Sequence, residues 1–282
     1  GALVFAFTPL PFSWEKQRHQ MADDALAELR KFANAVIPLP NDSLIQIGGA
    51  DATALECFAQ AGMNVVMSDI EEPRLADAVE EVAVHGTRVI SEITDVGKAE
   101  AVDALSERAF AEFGQVHVMC NNAGVGSGAG PDFIDAADWK WVLDVNLWGV
   151  IHGHRVFVPH MIEHGEGHIV NTSSMAGHLA GHSAYTASKW AVVGITQGLF
   201  HQMERDQTGV GVSCLCPGFV DTEIVNSTRN RPEEAAPSAL FEPTPQQDMA
   251  WQFMTDMVKS GRPPAEVADL VHDAIINNDF WI

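Results

Sequence analysis

Two observations predict an α/β fold built on a doubly wound parallel sheet. From residue 44 onward, short apolar runs alternate with longer amphipathic ones, as expected of strand-helix-strand crossovers that cover both faces of a parallel sheet. Polar and glycine-rich clusters fall just after the short runs, at Gly48-Gly49, Asp69, Asp95, Asn121-Asn122-Ala123-Gly124, Ser173-Ser174 and Pro217-Gly218. Ligands of such sheets bind outside the carboxyl ends of the strands, so these clusters point to one shared crevice.

In chain order, residues 1–12 are apolar without a basic leading segment and read as a strand rather than a targeting peptide. An amphipathic helix is expected near 20–34, which makes residues 1–43 an atypical strand-helix extension ahead of a domain over 44–282. Expected strands are Leu44–Ile47, Asn64–Ser68, Arg88–Ile93, Val116–Asn121, His168–Thr172, Val210–Cys216 and a short Phe280–Ile282. Their apolar runs, bounded by Gly, Asn and Asp, are too short for helices. Helices are expected at about 51–61, 73–84, 98–113, 135–164, 183–205 and 264–277. The one over 135–164 reads as buried through Val142, Leu143, Val145, Leu147 and Val150. Residues 223–261, rich in Pro, Ser, Thr, Glu and Gln, read as a mobile lid. Phe241, Met249, Trp251, Phe253 and Met254 would give that lid an apolar ceiling and favour a moderately hydrophobic substrate.

The chain has 282 residues and a net charge of -22. That length accommodates a sizeable core, and the charge disfavours nucleic acid and anionic membranes, which select basic faces. No apolar run approaches the roughly 20 residues of a membrane helix. Cys57, Cys120, Cys214 and Cys216 lie in apolar stretches without Cys-x-x-Cys spacing, which fits free thiols in a cytoplasmic protein. A small-molecule or protein partner is favoured.

Seven tryptophans and fourteen phenylalanines accompany a single tyrosine, Tyr185, placed four residues before Lys189. A lone phenol in a chain rich in other aromatics points to a use for its hydroxyl. Residues four apart share a helix face, and an ammonium there would lower the phenol's pKa from near 10. The pair alone is a weak signal, because any surface Tyr and Lys can be neighbours.

Five ordered motifs strengthen it. Asn121-Asn122-Ala123-Gly124, Asp144-Val145-Asn146, Ser173-Ser174, Tyr185 with Lys189, and Cys216-Pro217-Gly218-Phe219-Val220-Asp221-Thr222 together resemble the short-chain dehydrogenase/reductase family. The resemblance implies a Rossmann-like fold and hydride transfer between nicotinamide and a secondary alcohol or ketone. It implies catalytic roles for Asn146, Ser174, Tyr185 and Lys189. Tyr185 would take or give the substrate proton, Ser174 would bind the substrate oxygen, Lys189 would bind ribose hydroxyls, and Asn146 would hold a water of a proton relay. Cofactor contacts would come from Gly48, Gly49, Asp69, Asp95, Val96, Asn122, Ala123, Gly124, Tyr185, Lys189, Pro217, Gly218, Val220 and Thr222. Asp69, about twenty residues after Gly49, sits where a carboxylate binds the adenosine ribose and repels a 2′-phosphate, favouring NAD over NADP. The same carboxylate could instead cap the following helix. A homodimer or homotetramer is implied.

Three stretches depart from the family, one of them the segment from Ser174 to Tyr185, which is about two residues shorter than usual and would reposition Ser174 relative to Tyr185. Ile47-Gly48-Gly49-Ala50-Asp51-Ala52-Thr53-Ala54 runs almost directly into helix, about four or five residues shorter than the family's glycine turn, which brings backbone N–H groups to a pyrophosphate. That shortening motivates a second reading, a dehydrogenase fold that has lost dinucleotide binding and serves as a binding or scaffold protein. Residues 1–46 instead resemble an internal piece of the bacterial tubulin-like cell-division GTPases, without their nucleotide loop. His160 and His164 lie four apart on a helix, but no Cys or paired carboxylate completes a set of ligands, and no metal site is expected.

Overall fold

The computed structural model describes residues 5–10, 35–40, 54–126, 136–233 and 244–282. The expected strand Leu44–Ile47 and helix over 20–34, together with Gly48, Gly49, Asp51 and Phe241, lie outside them. Strands β1 (Phe5–Leu10) and β2 (Ala35–Pro40) pair in parallel. Helix α1 (Ala54–Gln60) leads to β3 (Val65–Asp69), α2 (Glu72–Ala83), β4 (Val89–Ile93), α3 (Ala99–Phe113) and β5 (Val118–Asn121). Helices α4 (Ala136–Leu143) and α5 (Gly149–His164) follow, joined by a π turn over Asp144–Trp148. Beyond them come β6 (Gly167–Thr172), α6 (Ala184–Arg205), β7 (Val210–Leu215), α7 (Pro245–Lys259) and α8 (Pro264–Asn277). Short 3-10 helices span Met175–His178 and Glu223–Asn230.

All strand pairings are parallel: β3 with β4, and β5, β6 and β7 in that order. The expected strand at Phe280–Ile282 joins the free edge of β7 through a bridge between Cys214 and Trp281. Neighbouring residues of β6 show why the sheet is covered twice. Ile169 packs with Val158, Met161 and Met203 of α5 and α6, while Val170 packs with Phe58, Val271 and Ile275 of α1 and α8. Successive strand side chains point to opposite faces, and each such buried side chain contributes about 2 kcal/mol. Parallel pairing places the carboxyl ends of β5, β6 and β7 on one edge, and those of β3 and β4 together on theirs.

The helix expected over 135–164 is divided. Between Asp144 and Trp148 the Gly149 amide bonds back to the Asp144 carbonyl, one residue further than in an α-helix. The widened turn faces Asn146 inward, where it is 1% exposed, while Trp148 is 48% exposed. Helix α7 falls within the stretch expected to be a lid and exposes Met249, Phe253 and Met254.

Candidate active site

Ser183 caps α6 by accepting the Thr186 amide at 3.1 Å. Tyr185 and Lys189 therefore stand on the first turns of that helix, directly over the end of β6. Lys189 is 3% exposed, and its Nζ donates to the Thr172 carbonyl at 3.0 Å. Burial pulls its pKa from 10.5 down to about 8, with Cys214 and Cys216 pulling it up. The ammonium lies 5.6 Å from the centroid of the Tyr185 ring. The expected lowering of the phenol is not found. Burial pushes Tyr185 up, and the hydrogen bond with Ser174 is what opposes the shift. Withdrawing a group from water penalises its charged form, and here that penalty outweighs the help from Ser174.

Ser173 and Ser174 continue β6 beyond its last pairing. The Ser173 hydroxyl donates to the Lys189 carbonyl at 2.8 Å, tying the strand end to α6. Ser174 caps the Met175–His178 turn, accepting the Ala176 amide at 3.1 Å, and reaches the Pro217 carbonyl at 3.5 Å. Pro217 also accepts the Met175 amide at 2.9 Å. The serine pair, the phenol and the Pro217-Gly218 segment are thus one connected unit.

Asn146 is committed to the backbone. It accepts the Val125 amide at 2.8 Å, and its Nδ2 donates to the Val125 carbonyl at 2.9 Å and to Ser188 Oγ at 3.1 Å. A Cβ added to Gly124 would stand 3.5 Å from Asn146 Oδ1 and 3.6 Å from Lys189 Nζ, so this glycine marks where the two side chains converge. The Asn146 side chain thus holds the loop after β5 in place.

Beneath the site lies a polar ladder that the sequence did not single out. Asn121 Nδ2 donates to Asn171 Oδ1 at 2.8 Å, and Asn171 Nδ2 donates to Thr196 Oγ1 at 3.0 Å and to the His154 ring at 2.8 Å. Burial lowers the His154 pKa against the pull of Asn171, which suits a neutral acceptor nitrogen. A Cβ at Gly153 would overlap Asn121, so α5 can approach β5 closely only with glycine there. The available signal was an asparagine inside the apolar run His168-Ile169-Val170-Asn171.

Other expected contacts line the same edge. Asp69 ends β3, and its Oδ1 accepts the Glu71 amide at 2.8 Å, so the carboxylate does shape the entry to α2. Asp95 Oδ1 accepts the Gly97 amide at 3.0 Å, and Val96 packs where a Cβ at Gly149 would stand. Asn122 Oδ1 accepts the Thr172 hydroxyl at 2.9 Å. Asn122, Ala123, Gly218 and Thr222 are exposed along the crevice, with Val220 partly buried beside Arg262.

The 3-10 helix at Glu223–Asn230 is strapped across this edge. Arg229 and Asn230 both bond Glu71 Oε1 at 2.8 Å, and Ser227 Oγ accepts the Gly126 amide at 3.0 Å. Just beyond it, Arg231 pairs with buried Asp138 of α4 and lies 4.9 Å above the Trp141 ring. These anchors left no local signal, because their partners are far apart in sequence. His160, set aside as a metal ligand, stacks on Phe110 at 4.1 Å and accepts the Val116 amide at 3.3 Å. Among the described residues no group of three or more His, Cys, Asp or Glu is placed to hold a metal, and no helix is long and apolar enough to cross a membrane.

The family described as short chain dehydrogenase matches the chain over residues 47–233. A probable oxidoreductase, EphD, of Mycobacterium tuberculosis is 39% identical over 226 residues, covering 74% of this chain. The chain spans 37% of that relative's length. A dehydrogenase/reductase of CLA biosynthesis from Lactiplantibacillus plantarum is 29% identical, covering 80% of this chain and 81% of its own. A short-chain dehydrogenase/reductase of Burkholderia phymatum, solved in complex with NAD, superposes with a TM-score of 0.77 at 42% identity, covering 81% of this chain and 83% of that one. A metagenomic short-chain oxidoreductase solved in complex with NADP has a TM-score of 0.61 at 26% identity, covering 83% of this chain and 91% of that one.

Proposed function

The chain belongs to the short-chain dehydrogenase family, and on that premise we propose that it interconverts a secondary alcohol and a ketone by hydride transfer, with Tyr185 as the proton donor or acceptor. The observation that carries this reading is the junction of three groups at one strand end: the Tyr185 phenol, Ser174, which opposes the upward shift of that phenol, and Lys189, buried with its ammonium 5.6 Å from the phenol ring. A bound nicotinamide dinucleotide supplies the hydride acceptor or donor. The described residues suit it, because exposed Asn122, Ala123 and Gly218 leave the strand edge open, and a Cβ at Gly218 would meet nothing within 4 Å.

Tyr185 gives its phenolic proton to the substrate oxygen in reduction and takes it back in oxidation. Ser174, beside that phenol, orients the same oxygen and stabilises charge developing on it. Lys189 keeps the local potential positive while it is protonated. Asn146 acts as a positioning residue through Val125. Asp69, at the end of β3, favours NAD over NADP because a 2′-phosphate beside its carboxylate would be repelled. A moderately hydrophobic substrate is supported by the exposed Met249, Phe253 and Met254 of α7. Exposed Trp148 supports association of two or four copies.

The shortened turn at Ile47–Ala54 favours the second reading, a binding protein without dinucleotide affinity. Fluorescence titration with NADH and NADPH separates the two. Saturable binding, tighter for NADH, together with loss of turnover in Tyr185→Phe and an unchanged circular dichroism spectrum, is the expected result. Turnover retained by Tyr185→Phe would remove the assigned role, and no NADH binding would leave the scaffold reading standing.

A further inference from the structure

Behind the active-site lysine lies a pair of thiols that the proposed reaction does not use. Cys214 and Cys216 are alternate residues at the carboxyl end of β7, so their side chains leave the same face. Their sulfurs are 3.7 Å apart. Cys214 is fully buried, whereas Cys216 is partly exposed and lines a cavity of about 370 Å³ with Pro217, Phe219, Leu270 and Ile282. The Cys216 thiol is hydrogen-bonded with Cys214, and the exposed His178 ring and Ser173 lie close enough to favour its thiolate. His178 is itself held edge-on to Trp281 at 5.4 Å. One sulfur is thus reachable and surrounded by hydrogen-bonding groups, with the second buried directly behind it.

We propose that Cys216 and Cys214 form a redox-active thiol pair, in which Cys216 reduces a hydroperoxide and Cys214 resolves the product into a disulfide within the strand. The Cys216 thiolate attacks the distal peroxide oxygen, the O–O bond breaks, and Cys216 sulfenic acid forms with release of hydroxide, or of an alkoxide from an organic peroxide. Cys214 sulfur, losing its proton to that hydroxide or alkoxide, then attacks the Cys216 sulfur. The S–O bond breaks and hydroxide leaves, becoming water with the proton that Cys216 gave to solvent on ionising, so two thiols lose two electrons to one peroxide. A dithiol reductant reverses the change.

Geometry and electrostatics separate the two roles. The hydrogen bond from Cys214 and the contact with His178 hold Cys216 below the ordinary thiol range against the effect of burial, and the same coupling pushes Cys214 up. Cys57 and Cys120, by contrast, are pushed by burial to about 11 and about 12. Thiolate character governs peroxide reactivity, so the pair should react while the other two cysteines do not. Bond formation requires the sulfurs to close by roughly 1.7 Å. Cys216 lies one residue beyond β7, and its amide donates to the Ile282 carbonyl at 2.8 Å, so the shift must come from side-chain rotation together with a loosening of that C-terminal contact. The shift would draw on Pro217, whose carbonyl bonds Met175 and Ser174.

The test exposes the purified full chain to hydrogen peroxide, then unfolds it, alkylates the free thiols and maps the peptides by mass. The expected product is a peptide containing both Cys214 and Cys216, lighter by two hydrogens, unalkylated and restored by dithiothreitol, with Cys57 and Cys120 still alkylated. Cys214→Ser should stop at a sulfenic acid on Cys216 that dimedone traps, and Cys216→Ser should leave Cys214 unoxidised. The proposal is overturned if wild-type Cys216 passes to sulfinic acid without the crosslink, if Cys57 or Cys120 oxidises first, or if all four thiols stay alkylatable. The readout is mass rather than turnover, so its failure and that of the dehydrogenase reading are distinguishable.

Discussion

Lys189 carries a positive charge that its surroundings oppose. Its pKa is 10.5 in water and about 8 in the fold, so the charged form is penalised by about 3 kcal/mol. The penalty is fully present below about pH 8 and fades as pH rises toward 10.5. In that window the unfolded chain holds a proton that the native chain has released, so this residue makes stability rise with pH. Lys189→Met should therefore melt at a higher temperature than wild type at pH 7, with the gain shrinking by pH 10, while turnover falls at least ~100-fold. Thermal unfolding at the two pH values, alongside initial rates, checks both halves. Tyr185, Lys189 and Ser174 were legible in sequence because their motif spacing is local. The direction of the phenol's shift was not, because it depends on how much of the fold covers it.

At the scale of elements, the strap over the strand edge was the least legible part. A stretch rich in Pro, Ser and Glu lacks the periodicity that marks a helix, yet Glu223–Asn230 and α7 both form within 223–261. What fixes the 3-10 helix is paired charge from distant segments. Arg231 and Asp138 have side chains only 8% and 7% exposed, and removing one partner of such a pair leaves the other's charge buried. Arg231→Ala should cost about 3 kcal/mol, and the double variant Arg231→Met with Asp138→Asn should recover more than half of it, as read by urea unfolding. Arg229→Ala, whose contact with Glu71 is more exposed, should leave stability within about 1 kcal/mol of wild type. It should speed NADH release in stopped-flow chasing, since Glu71 stands two residues beyond Asp69. Unchanged release would mean that the strap does not retain the dinucleotide.

At the scale of the whole molecule, the described residues from α1 onward were legible in outline, since β3 to β7 and their helices match the expected order to within a few residues, whereas β2 (Ala35–Pro40) was not expected. The alternation of runs was sufficient because each crossover is a local unit. A net charge of -22 acts on all of it at once. Self-repulsion should make stability rise with ionic strength by ~1 kcal/mol or more between low and moderate salt, a shift of roughly 2–4 °C in a melt. A flat salt response would indicate that local ion pairs offset the excess. The π turn at Asp144–Trp148 can also be considered as a matter of chain length. It holds one residue more than a regular helix would use, and that surplus rotates Asn146 onto Val125 while sending Trp148 outward. Deleting a residue there would preserve nearly every side-chain type and improve the helix, yet turn each later position by about 100°. Here the count of residues, independently of their identity, is what the site depends on.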